Sequence, residues 1–235
     1  MSAAPLLDVR GFSVFYDHFQ AVHEVDVTVA SGEIVSIIGA NGAGKSSFLK
    51  ALVRQAGRST GAASFEGLDL SRYSTPEIVK LGVGLAPEGR KLFPSLTVRE
   101  NLWLGWELGR RGDITMETVF GWFPVLAERQ NQRARELSGG QQQMVALGRA
   151  LLTNPKLLLC DEISLDLAPR IVNERYAIIP AIRERGLGIV AVEQDISKSL
   201  SVADRFYCFL EGAVSLTGRP GDVNRESIML HYFGS

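Results

Sequence analysis

The chain has 235 residues, 46% hydrophobic and 22% charged, which suits one sizeable α/β core and excludes global disorder. Its 25 basic residues nearly balance 26 acidic ones, so neither the basic excess of a nucleic-acid binder nor a polybasic lipid-binding surface is present. No apolar run nears the roughly 18–20 residues of a membrane span, the first ten residues lack a secretory-signal pattern, and two cysteines with three scattered histidines give neither a disulfide framework nor a zinc site, so a cytoplasmic chain is expected.

In chain order, Val25, Val27 and Val29 alternate with polar residues, as in a half-buried strand. The β-branched run Glu33 to Ile38 predicts a buried strand that ends in a glycine loop, with helix from about Lys45 to Gln55. Thr97 to Glu100 (TVRE) fits a capping box, and Val98, Leu102 and Trp106 recur at helical spacing, which predicts a helix to about Leu108. After a loop at 110–112, more helix is predicted from about Ile114 to Arg129. Leu157–Cys160 and Leu187–Val192 read as further buried strands. Ala168-Pro169 reads as a helix start, with the helix reaching about Arg185 and kinked near Ile179 by Pro180. Arg205 to Gly218 resembles a hairpin around Glu211-Gly212, followed by a short final helix. The alternation predicts an α/β fold: a parallel core sheet, an antiparallel β portion near the N-terminus, and a helical subdomain at about 90–150 within a single domain spanning 1–235.

Gly39-Ala40-Asn41-Gly42-Ala43-Gly44-Lys45-Ser46 matches G-x-x-x-x-G-K-[ST] between a predicted strand and a predicted helix, the context that gives the pattern its meaning. The glycines let backbone N–H groups wrap phosphates, and the helix N-terminus adds partial positive charge. Lys45 is expected to bridge the β- and γ-phosphates, Ser46 to bind Mg2+, and Asn41, Ala43 and Ser47 to complete the cradle. The strand Leu157–Cys160 ends in Asp161-Glu162. Parallel strands gather their C-terminal ends at one edge, so Asp161 is expected to help hold Mg2+ and Glu162 to act as the general base that activates water. Cys160 reads as a small buried hydrophobe.

Leu137-Ser138-Gly139-Gly140-Gln141 precedes a helix with apolar Met144, Leu147 and Leu151. Ser138 caps it, and the two glycines open its N–H groups to an anion, so this is a second phosphate-binding helix start in one chain. A head-to-tail dimer accounts for it, since Ser138, Gly139, Gly140 and Gln141 of one subunit then cover the nucleotide held by the other.

This pentapeptide resembles the signature of the ABC ATPases, and the likeness extends over essentially the whole chain. The resemblance implies a P-loop ATPase with ATP and Mg2+, a second ATPase subunit (the same chain or a different one), transmembrane permease subunits and, through them, an extracytoplasmic solute-binding protein. It also implies a peripheral place on the cytoplasmic face of the membrane. By the same resemblance Tyr16 stacks on adenine, the alternative being a tyrosine packed on its strand. Ser164-Leu165-Asp166 resembles the loop that lines the dimer interface. Gln194 stands at the switch position, usually histidine, and Glu88 at the position, usually glutamine, that reaches the metal and nucleotide. Those two residues, with Leu92 to Val98, Asn101-Leu102 and Leu167-Ala168-Pro169, look like the branched-chain amino-acid importer ATPases of the smaller subunit type. Ile163, Asp166 and Pro180 depart from that pattern without removing a catalytic group. The alternatives are an importer of urea, amides or another small polar solute, a soluble ABC ATPase without a pore, and a P-loop kinase, in which residues 137–141 would have no role. Phe93, Trp103 and Trp106 lie where the family receives a helix of its membrane subunit; internal packing is the alternative, and Trp103, off the Val98–Leu102 face, is the better interface residue.

Overall fold

The structure is a computed structural model and describes residues 4–161 and 179–233. Two sheets organise it. Strands β1 (Leu7–Tyr16), β2 (Phe19–Val29), β4 (Arg58–Phe65) and β5 (Leu68–Asp69) form an antiparallel sheet in the order β2-β1-β4-β5. Strands β3 (Ile34–Ile38), β6 (Val83–Ala86), β7 (Leu157–Asp161), β8 (Gly188–Glu193), β9 (Arg205–Leu210) and β10 (Ala213–Gly218) form the second, in the order β10-β9-β3-β8-β7-β6. It is parallel except where β10 turns back on β9.

The core strands of the second sheet are covered on both sides, which is why they read as continuous apolar runs. Val35 and Ile37, Leu157 and Leu159, and Val190 and Val192 point into one cluster shared with the antiparallel sheet and helix α1 (Lys45–Leu52). Leu158, Cys160, Ile189 and Ala191 point the other way, into a cluster with helices α3 (Val98–Leu108) and α6 (Gly139–Leu151). A third, smaller cluster joins Ile38, Phe206 and Cys208 to Ile228 and Tyr232 of the final helix α9 (Arg225–Phe233). The remaining helices are α2 (Thr75–Leu81), α4 (Met116–Trp122), α5 (Pro124–Glu128), α7 (Ile179–Arg183) and α8 (Ile196–Val202).

Local signals worked where they were complete. Thr97 Oγ1 accepts from Glu100 N at 3.2 Å while Glu100 Oε2 accepts from Thr97 N at 2.7 Å, the reciprocal pair that starts α3. The β9–β10 hairpin turns through Glu211 and Gly212, both at positive φ. Two helices end differently from expectation. α1 stops at Leu52, and Arg54 two residues on is left-handed at φ 57°. The helix expected over 114–129 is two, because Pro124 has no N–H to donate and biases Phe123 away from helical angles, to φ −127° and ψ 74°. Of the helix expected from Ala168 to Arg185, the part through residue 178 lies outside the described residues, and Ile179–Arg183 is helical.

Phe48 fixes α1 to both sheets. It is fully buried, edge-on to Phe12 at 6.0 Å and 85°, and tilted against Phe209 at 5.6 Å. Phe48→Ala is expected to destabilise the chain by about 3–5 kcal/mol, the usual range for a buried phenylalanine. A denaturant titration showing a loss under ~1 kcal/mol would remove Phe48 from that role.

Candidate functional site

The parallel register brings the site together. Ile38 of β3 pairs with Glu193 of β8, Val192 of β8 with Asp161 of β7, and Cys160 of β7 with Ala86 of β6. The glycine loop, Asp161, Gln194 and Glu88 therefore leave the sheet at the same edge, where parallel α/β sheets bind ligands. Between this edge and the β1–β2 hairpin opens a cavity of about 520 Å³, lined by Tyr16, Phe19, Ala21, the loop and helix start Asn41 to Ser47, Glu88 and Gln194.

The loop from Gly39 runs into α1 through Gly44, left-handed at φ 91°. A side chain there would be strained and would meet the Ala21 carbonyl, so glycine is required for the loop to close on the hairpin. Lys45 is only 4% exposed, and its Nζ donates to the carbonyls of Gly39 at 2.6 Å and Ala40 at 2.8 Å. The ammonium is thus folded against the loop that would hold phosphates. Ser46 Oγ donates to Asp161 Oδ1 at 2.7 Å.

Asp161 is the most constrained charge here. Its side chain is 0% exposed, and its Oδ2 accepts no hydrogen bond among the described residues, with Lys50 Nζ the nearest ion partner at 3.7 Å. Burial holds its carboxyl above the usual carboxylate range; the Ser46 hydrogen bond and the charges of Lys50 and Lys45 oppose the shift, and Glu88 adds to it. Lys50 also stands 3.9 Å from Glu88 Oε2. A serine hydroxyl and a buried carboxylate with an oxygen to spare form a hard oxygen pair that would fit Mg2+. Burial, with Glu193 and Asp161 adding to it, pushes the neighbouring Cys160 thiol far up, so it behaves as a small apolar side chain.

The second cradle lies elsewhere. Ser138 Oγ accepts from Gln141 N at 3.4 Å, and Gln141 Oε1 accepts from Ser138 N at 3.1 Å, a capping box that opens α6. Ser138 is exposed, Gly140 is buried, and none of Ser138, Gly139, Gly140 or Gln141 lines the cavity of Lys45. Glu162 and Ser164-Leu165-Asp166, expected by resemblance to line a dimer interface, lie outside the described residues. Tyr16, at the end of β1 and 39% exposed, does face the cavity. Trp106 packs against the α3–α6 cluster with the Arg111 guanidinium 5.4 Å from its ring, whereas Phe93 and Trp103 are half exposed.

Sequence reasoning missed Phe19 and Lys50. Phe19 pairs with Tyr16 across the β1–β2 turn, so both rings rise on one face of the hairpin. Lys50 follows Ser46 by four residues, one helical turn along the same face. Both spacings were available in the sequence.

The sequence pattern of the family described as ABC transporter matches residues 22–164. The high-affinity branched-chain amino acid transport ATP-binding protein BraG of Pseudomonas aeruginosa is 43% identical over 211 residues, covering 89% of this chain and 91% of BraG. The lipopolysaccharide export system ATP-binding protein LptB of Haemophilus influenzae is 31% identical over 97% of each chain. Among solved structures, a nucleotide-free ATP-binding cassette from an ABC transporter superposes with a TM-score of 0.81 at 23% identity, over 99% of this chain and 96% of that one.

The raised Asp161 carboxyl has a stability consequence. A carboxylate whose folded-state pKa lies above its unfolded value contributes stability at low pH that is lost as pH rises through the folded pKa. Asp161→Asn removes that charge and keeps an acceptor for Ser46, so the nucleotide-free variant is expected to melt above the parent at pH 7 in calorimetry. A lower melting temperature would mean that the ion pair with Lys50 outweighs the cost of burial.

Proposed function

The chain belongs to the ABC transporter family and is an ATPase of it, and from that membership we propose that it works as one half of a nucleotide-bridged pair driving a membrane importer for branched-chain or related amino acids. The observation that carries the pairing is the separation of its two anion-cradling helix starts: α1 opens on the cavity beside Tyr16, and α6 does not line that cavity. One γ-phosphate cannot readily use both cradles of one molecule, whereas two molecules arranged head to tail use all four.

In this reading adenine stacks on Tyr16, and the amides from Asn41 to Ser47 surround the phosphates. Lys45 leaves the loop carbonyls for the β- and γ-phosphates when nucleotide arrives. Ser46, Asp161 and Glu88 would hold Mg2+, whose charge would supply electrostatic stabilisation to the transferred phosphoryl group. Glu162 takes the proton of the attacking water. Gln194 donates its amide N–H to a γ-phosphate oxygen, a role that an uncharged side chain can fill. Ser138, Gly139, Gly140 and Gln141 of the partner close the site from above, so product release lets the pair open.

Attachment to a pore is supported by Phe93 and Trp103, half-exposed aromatics just beyond the Glu88 turn and outside the α3–α6 cluster. No helix of the described residues is long and apolar enough to cross a membrane. The branched-chain cargo is supported by the similarity to BraG over nine-tenths of both chains, together with Glu88, Gln194 and Leu167-Ala168-Pro169. Peripheral placement on the cytoplasmic face follows from the same reading.

Glu162→Gln is expected to slow ATP hydrolysis at least ~100-fold, about 2.7 kcal/mol of barrier, and to elute from gel filtration as a dimer only when ATP is present. A variant that turns over at the parent rate would take Glu162 out of the mechanism. Ser138→Arg is expected to abolish hydrolysis while the isolated chain binds ATP within about twofold of the parent, since the lost contact is to the partner's nucleotide. Loss of binding by the monomer in a direct titration would place α6 over its own nucleotide and end the pairing.

A further inference from the structure

Gly89, Arg90 and Lys91 lie in succession at positive φ, +70°, +65° and +45°. Two residues that carry side chains are therefore held in a conformation they seldom adopt, which persists only where the surroundings fix it. Helix α6 fixes it. Arg149 Nη2 donates to the Lys91 carbonyl at 2.8 Å and the Arg90 carbonyl at 3.4 Å. In return Arg90 Nη1 donates to Gln142 Oε1 at 3.1 Å. Gln142 and Arg149, seven residues apart, present the same face of α6 to the turn.

Gln142 also faces forward. Its Nε2 donates to the carbonyls of Ala134 at 3.0 Å and Leu137 at 3.2 Å, the segment that delivers Ser138. The Arg90 guanidinium lies so close over Gly139 that a Cβ there would come within 2.8 Å of Nη2. A cation at this end of a helix opposes the macrodipole, so the contact is not one that helix stability alone selects. At the other end of the turn Glu88 lines the cavity of Lys45.

We propose that Arg90 is a positioning residue: through Gln142 and its place over Gly139 it holds the tip of α6 at the aim that Ser138–Gln141 need to meet the partner's nucleotide. This rests on the paired reading above. The turn and the helix tip are joined by Arg90–Gln142 and clasped by Arg149.

The test uses the full chain carrying Arg90→Ala, Gln142→Ala, both together, and Arg90→Lys, with Glu162→Gln versions for the pairing assay. Gln142→Ala leaves the Arg149 clasp in place and so serves should Arg90→Ala fold poorly. Each single alanine variant is expected to bind ATP as an isolated chain within about twofold of the parent yet to lose at least tenfold in kcat at saturating ATP. Their Glu162→Gln versions pair weakly with ATP on gel filtration. The loss in the double variant is smaller than the product of the two single losses, because the singles share the Arg90–Gln142 contact, and Arg90→Lys, which keeps a donor for Gln142, recovers more than half of the parent kcat. Parent-like kcat in Arg90→Ala, additive losses in the double variant, failure of the lysine rescue, or a fall in isolated-chain affinity beyond fivefold overturns the proposal. If Glu162→Gln alone shows no ATP-dependent pairing, the paired reading fails too; if it pairs and adding Arg90→Ala changes nothing, only the role of Arg90 fails.

Discussion

The bond from Ser46 Oγ to Asp161 Oδ1 joins the first turn of α1 to the end of β7, across the intervening strand β8. It exists because β3, β8 and β7 are parallel and in register, so their ends arrive together. A carboxylate with no exposed surface is unfavourable there unless something completes its shell, and one hydroxyl with an ammonium at 3.7 Å completes it only in part. The arrangement that burdens the fold is thus one that a divalent cation and phosphates would relieve. Lys45, turned onto its own loop carbonyls, is in the same condition, with donors occupied by acceptors weaker than a phosphate.

How much of this the sequence disclosed depended on the range of each interaction. The strands β3, β7 and β8 are legible because both of their faces are buried, which turns them into continuous apolar runs next to the glycine loop and the acidic pair. The capping boxes at Thr97 and Ser138 are legible because donor and acceptor lie three residues apart. β4 is not, since five of its eight residues, Arg58 to Ala62, are exposed and it takes its strand character from pairing with β1. β6 has four residues, too few for a period. The break at Phe123 is encoded in Pro124, whose backbone chemistry overrides the helical pattern that runs through it.

The site divides along the same line. The residues of contiguous motifs, Gly39 to Ser47 and Ser138 to Gln141, read directly, and the fold adds only where they face. Glu88 and Gln194 had to be carried by resemblance, because neither residue type nor spacing marks them; the register that sets them at one edge links strands more than a hundred residues apart in the chain. Arg90 and Gln142 are 52 residues apart, and no local pattern relates a strained turn to the helix that grips it.

The capping box at the start of α6 explains why that tip suits a contact made between molecules. Ser138 and Gln141 satisfy each other's backbone donors without outside help, so the helix end is ordered before any partner arrives and loses little conformational freedom on docking. Ser138 Oγ serves there as an acceptor, which leaves its own O–H to donate to an incoming phosphate oxygen. The pre-formed tip and the strained turn at Gly89–Lys91 that grips it belong to one hydrogen-bonded unit. In the paired reading, such a tip would meet the partner's nucleotide without refolding.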